Sequence, residues 1–386
     1  MIGAFLAGLA LSVLGLFPII HPNLVLSLVH FGGPLERGVF AAALASAHLA
    51  FAVFAGIVFL IPSQAAVLSP ISKGSSERAI ADAVKASVRA FAAATALSIV
   101  LAPFSMAIFP AIAGAVRPIA PFLVIGVVAS FVIREKAVRG AVAGLFIFSL
   151  AAAVGFISLN SAIAREPLLP LLTGLFGLPA LIAAGKNQEA GAAAGGEARP
   201  AHIAAGTVAG GLSGFLPAMT PAFLTSAAFL AVGENAGAFL AVNASVVAAK
   251  NFFDFANAFS IGRARSGPAA VALEASDGAG VGGEGAYEAA VLAAAAAGAF
   301  IACGAIAAAA PRLAKFAAKA HSKNASAAIA TAVVAGVLAL EGTGGLAIMA
   351  GACAVGLLGT ALGVRPAYCS GALIGPSLIY SLGIAI

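Results

Sequence analysis

Apolar residues recur along the chain in long runs that are separated by short polar connections. The runs are roughly 17 to 25 residues long, which is the length that a helix needs to cross a bilayer core of about 30 Å. The first half contains five of them, at approximately 38–62, 86–109, 117–133, 140–158 and 167–184. The second half contains five more, at approximately 235–261, 287–310, 325–340, 343–360 and 366–386. This pattern predicts an all-α polytopic membrane protein.

A polar stretch between the two sets of runs divides the chain into halves. Residues 185–200 read GKNQEAGAAAGGEARP, a composition that predicts a flexible linker. Repeat 1 then covers 1–184 and repeat 2 covers 201–386. Each begins with a leading segment, 1–33 or 201–233, that precedes its five runs. Because equivalent runs begin at similar distances in the two halves, we expect an internal repeat.

The two leading segments share the same spacing of glycine and proline. GLFPIIHPN and GFLPAMTP align at one offset of 199 residues, which matches Gly15, Pro18 and Pro22 with Gly214, Pro217 and Pro221. Two prolines four residues apart break a helix, because each removes a backbone donor and clashes with the preceding turn. Inside a bilayer a break survives where protein buries it or where it lines a wet cavity, as at the substrate sites of secondary transporters. The alternative is a simple kink, but one kink would not predict a second copy.

The number of runs and the positions of the charges predict how the halves are oriented. If each leading segment is a re-entrant hairpin, which enters and leaves on one side, five spans invert repeat 2 relative to repeat 1. Thirteen of the twenty Lys and Arg residues then share one face, in the loops 63–85, 134–139, 185–200, 311–324 and 361–365. Cytoplasmic loops are rich in these cations, so we expect this face to be cytoplasmic and the acidic 274–288 loop to lie outside. In the alternative, each motif crosses the membrane as a broken span and the 311–324 loop moves outside.

Composition supports a membrane protein and argues against other classes. Of the 386 residues, 62% are hydrophobic and 9% are charged, whereas soluble domains are about 25% charged. The net charge of +6 is explained by cationic loops, so no nucleic acid partner is expected. Cys303, Cys353 and Cys369 lie in apolar runs without metal-ligand spacing, which predicts small core residues. The amino end lacks the cationic stretch of a cleaved signal, so we expect Met1 onward to be mature protein.

Both breaks offer groups that can bind ions. Helix amino ends carry free N–H groups that suit a carboxylate or phosphate, while free carbonyls suit Na⁺. At the offset of 199 residues, His21 and Asn23 correspond to Thr220 and Ala222, so the two breaks are expected to have distinct roles. His21 could carry a proton near neutral pH, or it could hydrogen-bond a freed carbonyl.

A second polar cluster lies on the first run of repeat 2. Asn243, Lys250, Asp254 and Asn257 are spaced 7, 4 and 3 apart and share one helical face. We expect Lys250 and Asp254 to pair. An ionisable group at the bilayer centre costs about 2.5–3.5 kcal/mol, so its presence there indicates a function. We therefore expect the pair, together with Asn243, to help bind substrate or ion. The alternative is that both snorkel near an interface. The spacing of Gly206, Gly210 and Gly214 predicts close helix packing beneath the second break.

Five motifs together resemble a known family. They are GLFPIIHPN, GFLPAMTP, LLPLLTGLFGLPALI before the linker, SIGRARSGPAAVA, and GVRPAYCSGALIGPSLIYSLG near the end. They resemble the archaeal branch of the large membrane subunit of tripartite tricarboxylate transporters. The resemblance implies Gly/Pro-broken hairpins that hold a carboxylate, coupling to an ion gradient, a small membrane subunit and an extracytoplasmic binding protein.

The sequence therefore predicts a multi-pass secondary transporter of the cell membrane, and not an enzyme. It would move a small organic anion, such as a di- or tricarboxylate, in symport with Na⁺ or H⁺ by alternating access. No cofactor is expected apart from Na⁺ as a coupling ion, and a homodimer is a further option. One alternative is a translocase for a polyprenyl-phosphate lipid, whose phosphate would use the same helix ends. Another is an intramembrane enzyme that uses His21 and Asp254.

Overall fold

The computed structural model of this chain is built from α-helices. It describes residues 1–17, 20–58, 76–135, 137–183, 198–214, 216, 218–233, 235–278, 284–320 and 323–383, among which no strand occurs. Six helices in these ranges are long and apolar enough to cross a membrane. The all-α, membrane-protein character predicted from the sequence is confirmed. Residues 185–197, which make up most of the expected linker 185–200, lie outside the described residues.

Seven α-helices belong to the described part of repeat 1. They are α1 (Ile2–Ser12), α2 (Pro22–Leu28), α3 (Pro34–Val58), α4 (Glu77–Ile133), α5 (Val138–Asn160), α6 (Leu168–Leu172) and α7 (Leu178–Ala183). A 3₁₀ turn, Val13–Leu16, continues α1, and a π turn, Thr173–Gly177, joins α6 to α7.

Seven more α-helices belong to the described part of repeat 2. They are α8 (Pro200–Leu212), α9 (Pro221–Val232), α10 (Ala236–Ile261), α11 (Gly267–Ser276), α12 (Glu284–Ala320), α13 (Lys323–Ala361) and α14 (Gly371–Ser381). A 3₁₀ turn, Pro366–Ser370, leads into α14. Gly342 has φ 67° and ψ −160°, so α13 consists of two arms. This break coincides with the boundary predicted between the runs 325–340 and 343–360.

Two of the predicted boundaries are wrong because helices continue through prolines. The 57 residues of α4 run through the expected spans 86–109 and 117–133 despite four internal prolines, and α12 continues past Pro311 into the expected loop 311–324. A proline inside a helix removes one backbone hydrogen bond and clashes with the preceding turn. These segments are rich in alanine, the best helix former, which favours continuation of the helix despite that cost.

A third difference is α11, a helix that the sequence analysis did not expect. It occupies most of the connection between the expected runs 235–261 and 287–310 that precedes the acidic loop 274–288, and it overlaps that loop at 274–276. Ser266 and Pro268 lie at its start. Ser before the first helical turn and Pro within it are typical of a helix start. The local signal was therefore present in the sequence.

The leading segment of repeat 1 forms a helical hairpin. The α1 helix packs closely against α3. If a Cβ were added to Gly8, it would lie 2.9 Å from the Phe40 carbonyl, and one added to Gly15 would lie 2.4 Å from the His48 carbonyl. Both sets of residue numbers increase in the same direction, so the two helices are parallel. The amino group of Met1 lies 3.2 Å from the Glu36 carboxylate. Because α1 and α3 start side by side and run in the same direction, α2 must return the chain towards its starting side.

Repeat 2 begins with the same arrangement. A Cβ on Gly206 would lie 2.7 Å from the Val242 carbonyl, and one on Gly210 would lie 2.7 Å from the Lys250 amide. The α8 helix therefore lies parallel to α10, and α9 returns the chain. The glycine spacing predicted this close packing, which the structure confirms.

Packing between the halves occurs in matching pairs of helices. The α3 helix packs on α12, and α10 packs on α4. From the sequence, α10 is expected to be equivalent to α3, and the first part of α4 is expected to be equivalent to α12. In the same way α5 packs on α14, while α13 packs on the segment from α6 to α7. One core cluster, formed largely by small residues of α3, α4, α10 and α12, therefore contains residues from both repeats. Small side chains let helix backbones approach closely.

Candidate functional site

A cavity of about 390 Å³ lies between the two halves. Its walls include the starts of α2, α9 and α11, the middle of α3 and α10, and the segment from α6 to α7. Eight of the residues predicted to bind substrate or ion line it: Gly15, His21, Pro22, Asn23, Thr220, Pro221, Lys250 and Asp254. Both breaks and the polar face of α10 therefore meet around one space.

Each glycine and proline motif coincides with an interrupted helix. In repeat 1 the helical conformation ends at Leu16 and resumes at Pro22. In repeat 2 it ends at Leu212 and resumes at Pro221. Pro18 and Pro217 themselves lie outside the described residues. The sequence therefore located both interruptions to within a few residues.

The second break contains a strained residue on the cavity wall. Ala218 has a φ of 56°, a left-handed conformation that costs roughly 1–2 kcal/mol for a residue with a Cβ. Such strain persists where the surrounding structure imposes it, and it is concentrated at functional sites.

His21 and Thr220 occupy positions that match at the offset of 199 residues, and each side chain caps the helix that follows it. Nδ1 of His21 accepts a hydrogen bond from the Asn23 amide at 3.2 Å and caps α2. Oγ1 of Thr220 accepts one from the Phe223 amide at 3.1 Å and caps α9, and it lies 3.2 Å from the Ser370 hydroxyl. Through Nδ1, His21 is an acceptor rather than the expected donor to a freed carbonyl.

The predicted pair on α10 is confirmed. Nζ of Lys250 donates to Oδ2 of Asp254 at 2.7 Å, and the two side chains are 16% and 2% exposed. Both residues line the cavity. Oδ1 of Asp254 is buried and has no hydrogen-bond partner among the described residues.

Two other predicted residues lie behind the cavity wall. Asn243 accepts a hydrogen bond from Thr225 at 3.2 Å, which ties α10 to α9. The carbonyl of Gly214 accepts one from Nε of Arg265 at 3.2 Å. A Cβ on Gly214 would lie 1.8 Å from Nδ2 of Asn257, so a larger residue at 214 would have to displace the Asn257 side chain. Asn257 is fully buried, and its side chain has no hydrogen-bond partner within the described part of the chain.

The start of α11 contributes residues that the sequence analysis did not select. Arg265, Ser266 and Gly267 line the cavity. Oγ of Ser266 is buried without a partner in the described residues, although Ser266 is the N-cap of α11. Gly267 lies against the first break, since a Cβ there would lie 2.3 Å from Oδ1 of Asn23.

Electrostatic interactions act on Arg265 from two sides. Burial, and after it the neighbouring Arg263, lowers the pKa of the Arg265 guanidinium from its usual value, whereas Asp254 raises it. Arg265 is therefore close enough to Asp254 for the two charges to interact.

The polar lining also includes two glutamates and a second histidine. The backbone amide of Glu166 donates to Oε2 of Glu341 at 2.8 Å, and both residues line the cavity together with His48. Glu166 is exposed, so the cavity reaches the protein surface at this acidic edge. Among the described residues, no group of three or more His, Cys, Asp or Glu residues could hold a metal ion.

A scan against protein-family models, a search of curated proteins and a search of solved structures each found no match to this chain. The chemistry of the cavity is therefore the basis for assigning a function.

Proposed function

We propose that this chain is a secondary transporter, and not an enzyme, that moves a small organic anion by alternating access. The observation that carries this proposal is that two helix breaks, one from each repeat, line the same cavity. In secondary transporters, paired broken helices at a repeat interface hold the substrate and the coupling ion. A cavity of about 390 Å³ is within the range of roughly 300–1,000 Å³ that small-molecule sites occupy.

The charges in the part of the lining formed by α10 and the start of α11 favour an anion there. Lys250 and Arg265 contribute two positive charges there, and Asp254 contributes one negative charge. The starts of α9 and α11 add partial positive charge, because free N–H groups lie at the amino end of a helix. Glu166 and Glu341 add two negative charges at the acidic edge, so the positive charge is confined to the lining near α10 and α11. There it suits a carboxylate or a phosphate.

Reciprocal packing supports two repeats that are related by an internal twofold axis, and five spans in each half would make them inverted. An internal twofold axis would relate three pairs of helices: α3 with α10, α4 with α12, and α5 with the second arm of α13. Contacts between the halves must then occur in pairs, as they do. Loops expected on the same face are also in contact. Arg365 lies 3.3 Å from Glu135, and both are in loops that we propose to be cytoplasmic.

The hairpin geometry supports re-entrant leading segments. Since Met1 and Glu36 form an ion pair, residues 1–33 begin and end on the same side of the protein. A broken span that crosses the membrane would separate these two residues by the thickness of a bilayer core, about 30 Å. We therefore favour the hairpin plus spanning helices over the broken-span alternative.

The sequence motifs favour kinship with the large subunit of tripartite tricarboxylate transporters. On this proposal the substrate is a di- or tricarboxylate, and the partners are a small membrane subunit and an extracytoplasmic binding protein. Unpaired buried oxygens such as Asp254 Oδ1 suit either coupling ion, because a carboxylate can bind Na⁺ or take up a proton. A homodimer is compatible with the exposed apolar surface of α4.

One observation favours a second candidate, a polyprenyl-phosphate translocase. An apolar strip adjoins the polar wall of the cavity and is formed by Leu168, Leu169, Leu172, Leu181, Val333 and Leu340. An isoprenoid tail could lie along this strip while its phosphate occupied the helix ends.

Flux through liposomes tests both candidates. Purified protein would be reconstituted and supplied with labelled citrate or succinate under a Na⁺ gradient, a pH gradient or neither. We expect gradient-dependent accumulation of a carboxylate, which protein-free liposomes do not show. Movement of a polyprenyl phosphate between leaflets, with no carboxylate flux, would establish the second candidate instead.

A further inference from the structure

Among the described residues, two cations line the cavity, Lys250 and Arg265, and they differ in their partners. Lys250 donates to Asp254 at 2.7 Å, so its charge is already balanced. Arg265 forms no salt bridge within the described residues, and its hydrogen bond there is the one from Nε to the Gly214 carbonyl. Arg265 therefore has charge and donors available for a ligand.

We propose that Arg265, together with the start of α11, binds a carboxylate group of the substrate. This inference rests on the proposed transport function and adds a binding residue and a substrate group to it. A guanidinium is planar and matches a carboxylate through two parallel hydrogen bonds. The bond from Nε to Gly214 constrains that plane, because all the guanidinium nitrogens lie in it.

Neighbouring groups add donors at the same place. The Oγ of Ser266 has no partner in the described part of the chain, and no side chain caps the start of α11. The α11 helix is 10 residues long, and the first N–H groups of a helix have no partner within it. A carboxylate bound by Arg265 could accept hydrogen bonds from these groups.

The proposed site lies where the helix breaks of the two repeats approach each other. Gly267 lies against Asn23 of the first break, whereas Arg265 is bonded to Gly214 at the second break. A carboxylate bound here would contact the wall between the two hairpins. Substrate binding could therefore alter how the hairpins move relative to each other, which alternating access requires.

The acidic residues of the cavity wall do not take the place of a bound carboxylate at Arg265. Oδ2 of Asp254 is taken by Lys250, and Glu341 accepts a hydrogen bond from the Glu166 amide. Their negative charges would disfavour an anion elsewhere in the cavity. A carboxylate is therefore expected to bind at Arg265 rather than at the acidic edge.

Ligand binding to purified variants tests the inference. The substitutions are Arg265→Gln, Arg265→Lys and the control Arg263→Gln, which changes an exposed arginine of the same loop that does not line the cavity. Citrate, succinate and inorganic phosphate serve as probes in titration calorimetry. Arg265→Gln should raise the Kd for citrate or succinate about 10- to 100-fold, since a hydrogen bond to a charged group contributes roughly 1.5–3 kcal/mol.

The two remaining variants separate binding from a structural role. Arg265→Lys keeps the charge but loses the paired geometry, so it should weaken carboxylate binding less and reduce the preference for carboxylate over phosphate. Arg263→Gln should bind like the wild type. If Arg265→Gln does not fold, the change in preference in Arg265→Lys decides the matter.

Three results would overturn the inference. Unchanged carboxylate affinity in both Arg265 variants would exclude Arg265 as the binding residue while leaving the transport function standing. Binding of phosphate but not of carboxylate by the wild type would exclude the proposed substrate group. If the wild type binds none of the three probes and transports no carboxylate, the proposed function fails together with the inference.

Discussion

Lys250 and Asp254 form an ion pair one turn apart on α10, with Nζ of the lysine 2.7 Å from Oδ2 of the aspartate. Both side chains are largely buried at the wall of the cavity, and the pair is neutral as a unit. Breaking a buried pair leaves an uncompensated charge, whereas replacing both members with apolar residues does not.

We therefore predict that Lys250→Ala destabilises the protein more than the double variant Lys250→Met with Asp254→Leu. Removing one partner of a buried pair costs roughly 3–5 kcal/mol. Thermal unfolding in detergent measures the order of stability, and flux through liposomes measures function. The double variant should fold yet lose transport if the pair contacts substrate or ion.

The opposite result would change the interpretation of α10. If Lys250→Ala is as stable as the wild type and transports normally, the pair has neither a structural nor a binding role. Lys250 and Asp254 would then be removed from the candidate binding residues.

Gly15 should not tolerate a side chain. A Cβ there would lie 2.4 Å from the backbone carbonyl of His48, which cannot move without shifting α3. We expect Gly15→Ala to cost about 1–3 kcal/mol, as overpacking does. Gly126→Ala is the matched control, because a Cβ at Gly126 meets nothing within 4 Å, and Ala in a helix is favoured over Gly by about 0.5–1 kcal/mol. Equal melting temperatures for the two variants would refute the close contact between α1 and α3.

Replacing each of two asparagines on α10 with leucine should have different effects on the stability of the protein. The side chain of Asn257 has no hydrogen-bond partner among the described residues, whereas Asn243 accepts from Thr225. Asn257→Leu should be neutral or stabilising, while Asn243→Leu should cost about 1–3 kcal/mol by leaving Thr225 unpaired. Thermal unfolding with and without Na⁺ measures both. A large loss for Asn257→Leu that appears only in Na⁺ would instead identify Asn257 as an ion ligand.

The inverted arrangement predicts which loops share a face. Single cysteines would be introduced at Ala137, Arg312 and Asp277 after the three native cysteines are replaced by alanine. We expect an impermeant thiol reagent applied from outside to label position 277 but neither 137 nor 312. Labelling of 137 and 312 from opposite sides would restore the broken-span arrangement, since it moves the 311–324 segment across the membrane.

Local chemistry made parts of this structure predictable. The two breaks follow from proline geometry near Gly15 and Gly214, and the pair on α10 follows from the four-residue spacing of Lys250 and Asp254. The course of α4 was not predictable in this way, because a proline only weakens a helix and the rest of the segment decides whether it continues. The short helix α11 was missed, although Ser266 and Pro268 signalled its start.

By itself the sequence determined the helical membrane character, the positions of the helix breaks and the pairing on α10, because these depend on residues close together along the chain. The tertiary structure decided which of these features meet. It brought the breaks of both repeats to one cavity, and it added Arg265 and Ser266 from the connection between α10 and α11. Those contacts join residues as far apart in sequence as Asn23 and Gly267, so they depend on how helices pack and on where small residues let backbones approach.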